Sequence, residues 1–463
     1  MLVTTFLAAS LGLACSIFAN AAGTGVVTVP MKALVRPEHQ NAISLTKRYL
    51  QRRSSTSTSS LKSVAQDVMY TVTLGIGTPP QLFNLAIDTG SPITWVVNKT
   101  CSGDSCADIF NRFDCLSSPT CKSSPNSGIL NASYVSGDGV VGDYVTDIFS
   151  LGSLSFSSLA GIVNSYNAQL PPTVDGIMGL WYTIRQYKKI PSNAAFLNVL
   201  KDSDALTQPL VGIWLDETNS TSLTTPGGEI TFGGVDPSRF TGGITYVDCD
   251  PSAPWTIPVG SVSVNGKKIA VTSALATIDT GTSAMLLPEV VSDAINSAIP
   301  RSVKLTESAD GIVWIIPCEG DTPVSFTFGN FTATIPYHIF AIQNIRYKDI
   351  ETGALYCASS AMFATGSVSV ISNWLLGDTL IKNVYTVFDF GTNAETGGRV
   401  GFAELTNKSS TIVNKVTTGG ANIEVDEPIG LSKDRGNGAS GGFLVPYTTQ
   451  ALALASTVVF ALI

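Results

Sequence analysis

Ala86-Ile87-Asp88-Thr89-Gly90-Ser91 in the first half of the chain and Thr277-Ile278-Asp279-Thr280-Gly281-Thr282 in the second half say the same thing twice. In each, a short apolar run delivers an aspartate into Thr-Gly and then a hydroxyl residue. Farther along, each is followed by two hydrophobic residues and a glycine, Ile177-Met178-Gly179 after the first and Leu375-Leu376-Gly377 after the second. A single Asp-Thr-Gly is a common tripeptide and reads as a strand end entering a turn. Two of them with matching downstream partners mark an internal duplication.

The chemistry lies in the pairing. A strand that ends in Asp holds its carboxylate rigidly, and the Gly lets the backbone approach closely. Two such loops meeting across a pseudo-twofold axis place Asp88 and Asp279 side by side. Like charges at that range cannot both ionise, so the pair shares one proton and titrates as a unit. It offers a base and an acid together, with no covalent intermediate, metal or cofactor required. Ser91 and Thr282, each three residues past its aspartate, carry hydroxyls placed to hold the outer carboxylate oxygens. Thr89, Gly90, Thr280 and Gly281 complete the two loops.

Composition narrows the alternatives. The 463 residues are 44% hydrophobic and 13% charged, enough for two medium-sized lobes, each with its own core. The 42 glycines, 23 prolines and many short Val/Ile/Thr/Ser/Phe runs fit strands joined by tight turns, an all-β class. A net charge of −8 excludes nucleic acid as a partner, since little here neutralises a run of phosphates. Only two histidines occur, His39 and His338, so Ser-His-Asp, Cys-His and His-Glu-x-x-His chemistries drop out, and His338 reads as structural.

The ends read as processing signals. Residues 1–21, apolar and closing on Ala19-Asn20-Ala21, are expected to be a secretory signal peptide. Residues 22–53 carry Lys32, Arg36, Lys47, Arg48, Arg52 and Arg53 against the single acid Glu38, the pattern of a basic pro-segment that covers an acidic cleft until acid loosens it. Residues 54–69 open with a Ser/Thr run and are expected to be a flexible linker. At the other end, residues 406–437 form a linker, and 438–463 match a GPI-attachment signal, with small residues, a spacer and the apolar run Ala451 to Ile463. Asn437 is the expected attachment residue. The expectation is a secreted monomer held at the cell surface by a lipid anchor alone. Sequons at Asn98, Asn131, Asn219, Asn330 and Asn407 agree with a secretory route. So do the cysteines: Cys318 and Cys357 are expected to bridge, Cys101, Cys106, Cys115 and Cys121 allow three pairings, and Cys249 is the odd one.

Taken together, the two Asp-Thr-Gly loops, Gly75-Ile76-Gly77-Thr78-Pro79-Pro80-Gln81, Asp175-Gly176-Ile177-Met178-Gly179-Leu180, Ile230 to Gly243 and Trp374 to Phe402 resemble the pepsin-like aspartic proteases over Tyr70 to Leu405. The two ends suggest the GPI-anchored fungal members resembling yapsins. The resemblance implies a bilobal all-β fold, divided here into 70–244 and 245–405, that hydrolyses peptide bonds of peptide or protein substrates in acid. It also implies a β-hairpin flap whose tyrosine bonds to a tryptophan seven residues past the first catalytic Asp. Tyr134 and Trp95 fill those roles, although the stretch from Tyr134 to Gly142 is one residue longer than the common pattern. Asp138, near the flap tip, is placed to attract a basic substrate side chain. The competing readings are a binding protein on the same fold that has lost catalysis and a structural surface glycoprotein. Retention of both aspartates and both following hydroxyls argues against the first, and the paired acidic loops argue against the second.

Overall fold

The computed structural model describes the chain from 56 to 406 apart from short gaps, the longer of which are 135–138, 183–193, 218–221, 364–372 and 392–397. Outside that range it describes only the two-residue strands Val26–Val27 and Phe443–Leu444. The expected signal peptide, nearly all of the pro-segment and of the C-terminal anchor signal, and Asn437 lie outside the described residues, as do Asp138, Asn219 and Asn407.

Apolar residues of period two and frequent β-branching make this a protein of strands. In the first half these are β1 (Thr56–Val64), β2 (Met69–Ile76), β3 (Gln81–Asp88), β4 (Trp95–Val97), β5 (Ile129–Ser133), β6 (Gly139–Leu151), β7 (Leu154–Tyr166), β8 (Gly176–Gly179), β9 (Leu210–Leu215) and β10 (Thr224–Phe232). β11 (Phe240–Asp248) leads into the second half, with β12 (Ala274–Ile278), β13 (Met285–Leu287), β14 (Ala361–Phe363), β15 (Trp374–Leu376), the short helix α1 (Asp378–Ile381), β16 (Tyr385–Asp389) and β17 (Arg399–Leu405).

The duplication read from the sequence is present in the strand pairings. In the first half β8 runs parallel to β3, with Gly179 opposite Asp88, and antiparallel to β4, which is itself parallel to β7. In the second half β15 runs parallel to β12 and antiparallel to β13, which is parallel to β14. The neighbour order β3-β8-β4-β7 is thus repeated as β12-β15-β13-β14. Each half carries its aspartate to the same place in this arrangement.

One sheet joins the halves. Its strand order is β11-β17-β16-β9-β10-β1-β2-β3-β8-β4-β7-β6, so strands from late in the chain are hydrogen-bonded to strands from the first half. Thr245, where the sequence divides the lobes, pairs with Phe402 inside this shared sheet. Trp255 adds a second tie: fully buried, it donates from Nε1 to the Leu180 carbonyl at 3.0 Å and packs edge-on to Tyr182 and Phe388.

The Ser/Thr run is a correction. Instead of a linker, Thr56–Val64 is β1, paired along eight residues with β10 and, at its end, with β2. The reason is that the sheet supplies partners for the hydroxyls. Thr58 Oγ1 lies 3.1 Å from Thr231 Oγ1, Thr56 Oγ1 donates to the Gly233 carbonyl, and Ser57 Oγ accepts from Ser153 N–H. A satisfied hydroxyl is no obstacle to burial.

Disulfides join Cys101 to Cys106, Cys115 to Cys121, and Cys318 to Cys357, which selects one of the three N-lobe pairings. Cys249 is buried as a free thiol. Of the described sequon asparagines, Asn131 and Asn330 are exposed, whereas Asn98 is half-buried and donates from Nδ2 to Asn164 Oδ1 at 2.8 Å.

Candidate active site

Asp88 closes β3, whose residues from Leu85 to Ile87 are buried, and Asp279 follows directly on β12. Both aspartates are fully buried at the seam between the halves. Their hydrogen bonds mirror each other. Asp88 Oδ1 accepts from Gly90 N–H at 2.8 Å and its Oδ2 from the Ser91 hydroxyl. Asp279 Oδ1 accepts from Gly281 N–H at 2.8 Å and its Oδ2 from the Thr282 hydroxyl at 2.6 Å.

The threonines between them cross over. Thr89 N–H donates to Thr280 Oγ1 at 3.1 Å while Thr280 N–H donates to Thr89 Oγ1 at 3.0 Å. Each hydroxyl then donates across the seam, Thr89 to the Ile278 carbonyl at 2.9 Å and Thr280 to the Ile87 carbonyl at 3.0 Å. These four bonds involve fully or nearly fully buried groups, where an unpaired donor or acceptor is costly. They fix one loop against the other. The glycines are required by close approach, because a Cβ on Gly90 would sit 2.6 Å from Asp279 Oδ1 and one on Gly281 would collide with Asp88.

Burial in a water-poor seam pushes Asp88 well above the usual carboxylate range, and the neighbouring charge of Asp279 pushes it further, against the bonds from Ser91 and Gly90. Burial also raises Asp279, against donors from Thr282, Gly281 and Asp88. Two carboxyls so close ionise together only at high cost, which favours a singly protonated pair.

The expected flap pair is also joined. β5 and β6 form a hairpin with Ser133 opposite Gly139, and Tyr134, fully buried, follows the last pair at its loop end. Trp95, seven residues past Asp88 at the start of β4, donates from Nε1 to the Tyr134 hydroxyl at 2.5 Å and packs against the Tyr166 ring.

Several residues that support the site were not singled out from the sequence. Asp175 is buried and accepts from Asn84 N–H, Asn111 N–H and Asn111 Nδ2, pinning the stretch before β8 to β3. Asp378 is buried beneath the second loop, and its N–H donates to the Thr282 carbonyl at 2.7 Å. The Ser283 hydroxyl donates across the seam to the Val68 carbonyl. Two of these were signalled in the sequence, since Asp175 directly precedes Gly176-Ile177-Met178-Gly179 and Asp378 directly follows Leu375-Leu376-Gly377. His338 pairs with Glu217 at 3.5 Å.

Comparison with known proteins agrees with this geometry. Residues 69–405 match the family model described as eukaryotic aspartyl protease. The chain is 31% identical over 386 residues to Major aspartyl peptidase 1 of Cryptococcus neoformans var. grubii, covering 80% of this chain and 75% of that protein. It is 29% identical over 364 residues to aspartic-type endopeptidase ctsD of Aspergillus fumigatus, with 78% and 70% covered. Pepsin A of Suncus murinus is 29% identical over 349 residues, with 73% and 81% covered. With two aspartate loops of mirrored geometry in a duplicated all-β fold and relatives of this kind over most of its length, the chain belongs to the eukaryotic aspartyl protease family and is a pepsin-like aspartic-type endopeptidase.

Proposed function

We propose that this enzyme cleaves internal peptide bonds in acidic surroundings through a water molecule activated by Asp88 and Asp279. The observation that carries the proposal is the mirrored bracing of two fully buried carboxyls, which leaves them one shared proton. The ionised member takes a proton from a bound water while the protonated member donates to the scissile carbonyl oxygen. The water oxygen bonds to the carbonyl carbon and gives a neutral gem-diol. Collapse of that intermediate breaks the C–N bond as the protonated member gives its proton to the leaving amine and the ionised member takes one from a gem-diol hydroxyl, which leaves the new carboxyl group and a pair again singly protonated. Tyr134, held by Trp95, anchors the hairpin that covers the substrate.

The test uses mature protein on a mixed peptide library between about pH 3 and 7, with and without pepstatin, beside Asp88→Asn and Asp279→Asn. Acid-favoured cleavage lost in both variants and in the inhibitor is the expected result. Cleavage that persists in either variant would sink the two-aspartate mechanism.

The proposal extends to location. A secretory signal at 1–21, a basic pro-segment ending at Arg52-Arg53 and a GPI signal with attachment at Asn437 make this a monomeric enzyme of the cell surface. Release of activity from intact cells by a phosphatidylinositol-specific phospholipase checks the anchor, and full retention on the cells speaks against it. Asp138, four residues past Tyr134, gives a preference for Lys or Arg in the substrate. An unchanged ratio of Lys/Arg to Leu/Phe cleavage in Asp138→Ala would remove that assignment.

A further inference from the structure

Behind the second loop lies a group that the cleavage mechanism does not use. Asp378 is the first residue of α1 and has no exposed surface, and neither of its carboxyl oxygens has a hydrogen-bond partner. An ionised carboxylate in such a place is far more costly than a neutral acid, since no donor compensates for the water it has lost. Of the charged groups around it, Lys382 favours the ionised form, and Asp279 and Asp67 favour the neutral one. Facing it are Asp279 from the catalytic loop, Asp67 from the turn between β1 and β2, and Tyr70 from β2, while Lys382 closes its own helix.

Lys382 is the cation of this group, and its ion pair is with Asp67, at 3.6 Å between largely buried side chains. Asp67 also accepts from the Ser63 hydroxyl at 2.6 Å. One lysine thus stands between two carboxyls, and the one with donors is Asp67. Beyond it, Tyr70 donates to the Asp216 carbonyl, and Glu217 pairs with His338.

This arrangement holds the second loop in place. Asp378 N–H donates to the Thr282 carbonyl, and Thr379 N–H donates to the Ser283 carbonyl. Ser283 in turn donates to Val68, next to Asp67 in the same turn. The chain of contacts therefore runs from the Asp279 loop through α1 and Lys382 to the β1–β2 turn, and back through Ser283.

We propose, on the reading that Asp279 is catalytic, that Asp378 is a positioning residue for the Asp279 loop that works only in its neutral form, so that its ionisation limits the enzyme on the alkaline side. Once ionised, Asp378 places a second negative charge beside Asp279 and competes with Asp67 for Lys382, which loosens the clamp between α1 and the β1–β2 turn. Burial holds the folded-state Asp378 proton well above the ordinary carboxylate range. The unfolded chain gives up that proton in the ordinary range, so stability is present in acid and is lost as pH rises toward the folded-state value.

Asp378→Asn keeps the shape and removes the titration. It is compared with the unaltered enzyme by urea unfolding, followed by intrinsic fluorescence from acid to neutral pH, and by the pH profile of kcat/KM. The same unfolding series is run in Asp88→Asn, where the dyad no longer titrates as a pair. The expected result is that Asp378→Asn stays folded to higher pH, that about one fewer proton is released on unfolding above the ordinary carboxylate range, and that the alkaline limb of kcat/KM moves up with it. Asp67→Asn serves as the second variant, since Asn also accepts the positive φ of 64° at that turn. By leaving Lys382 to Asp378 it shifts the midpoint in the same direction by a smaller amount. An unchanged midpoint and proton count in Asp378→Asn would overturn the proposal, as would an equal loss of stability at every pH, the mark of packing alone. Because the midpoint is read without substrate, failure of the catalytic reading shows as absent cleavage with the shift intact.

Discussion

Replacing Thr89 by valine tests whether the crossed threonines hold the site together. Valine matches the shape of threonine but has no hydroxyl, so the change strands two buried groups: the Thr280 N–H, which loses its acceptor at 3.0 Å, and the Ile278 carbonyl, which loses its donor at 2.9 Å. Each such group costs about 1–3 kcal/mol when left unpaired, so the variant is expected to lose about 2–6 kcal/mol. Thr89→Ser keeps the oxygen and gives up one methyl, about 0.8 kcal/mol. Equilibrium unfolding in urea, in an Asp88→Asn background so that no self-digestion intrudes, reads both costs. In the catalytically intact background, kcat/KM of Thr89→Val is expected to fall by about a hundredfold, because a displacement of ~1 Å between the carboxyls is enough for that. If Thr89→Val proved no less stable than Thr89→Ser and cleaved as fast, the claim that these bonds align the two aspartates would be wrong.

Three further outcomes are expected. Trp95→Phe removes the N–H that binds Tyr134 and should lower kcat/KM by about tenfold, the worth of one hydrogen bond, in steady-state assays on a peptide. The double variant Cys318→Ser/Cys357→Ser opens a bridge spanning 39 residues and should lose about 4 kcal/mol in urea unfolding. Asp88→Asn should gain stability over the unaltered enzyme as pH rises from acid to neutral. Burial and then the Asp279 charge raise the folded-state value of Asp88, so the unaltered protein loses stability across that window and the asparagine variant loses less. Parallel curves at the two pH values would contradict this.

The features visible in the sequence were those that repeat or that depend on residue type alone. Asp88 and Asp279 stood out because each sits in a motif that occurs twice, and duplication of the motif carried duplication of the strand order. Trp95 and Tyr134 were placed by spacing within a family resemblance, and a hydrogen bond joins them. What the sequence hid depends on partners distant in the chain. The Ser/Thr run of β1 looked like a linker because its hydroxyls find their partners in Thr231, Gly233 and Ser153, none of which is close in sequence. The four N-lobe cysteines allowed three pairings until the folded loop brought sequence neighbours together. The clamp around Asp378 gave no signal, since Asp67, the partner of Lys382, lies in the other half of the chain.

The crossed threonines also bear on how the cell makes such an enzyme. A nascent chain emerges from its N-terminus, and domains fold as their residues become available. The Asp88 loop is complete early, yet the hydroxyl and the carbonyl that brace Thr89 belong to Thr280 and Ile278. The sheet behind it closes only when β16 and β17 arrive, since β16 pairs with β9 and β17 with β11. A ribosome-bound fragment ending before Tyr385 therefore has both aspartates but lacks the strands that close the shared sheet. The support shared by the two loops is therefore expected to close only with the last strands of the fold, and a chain abandoned partway through translation to hold both aspartates without it.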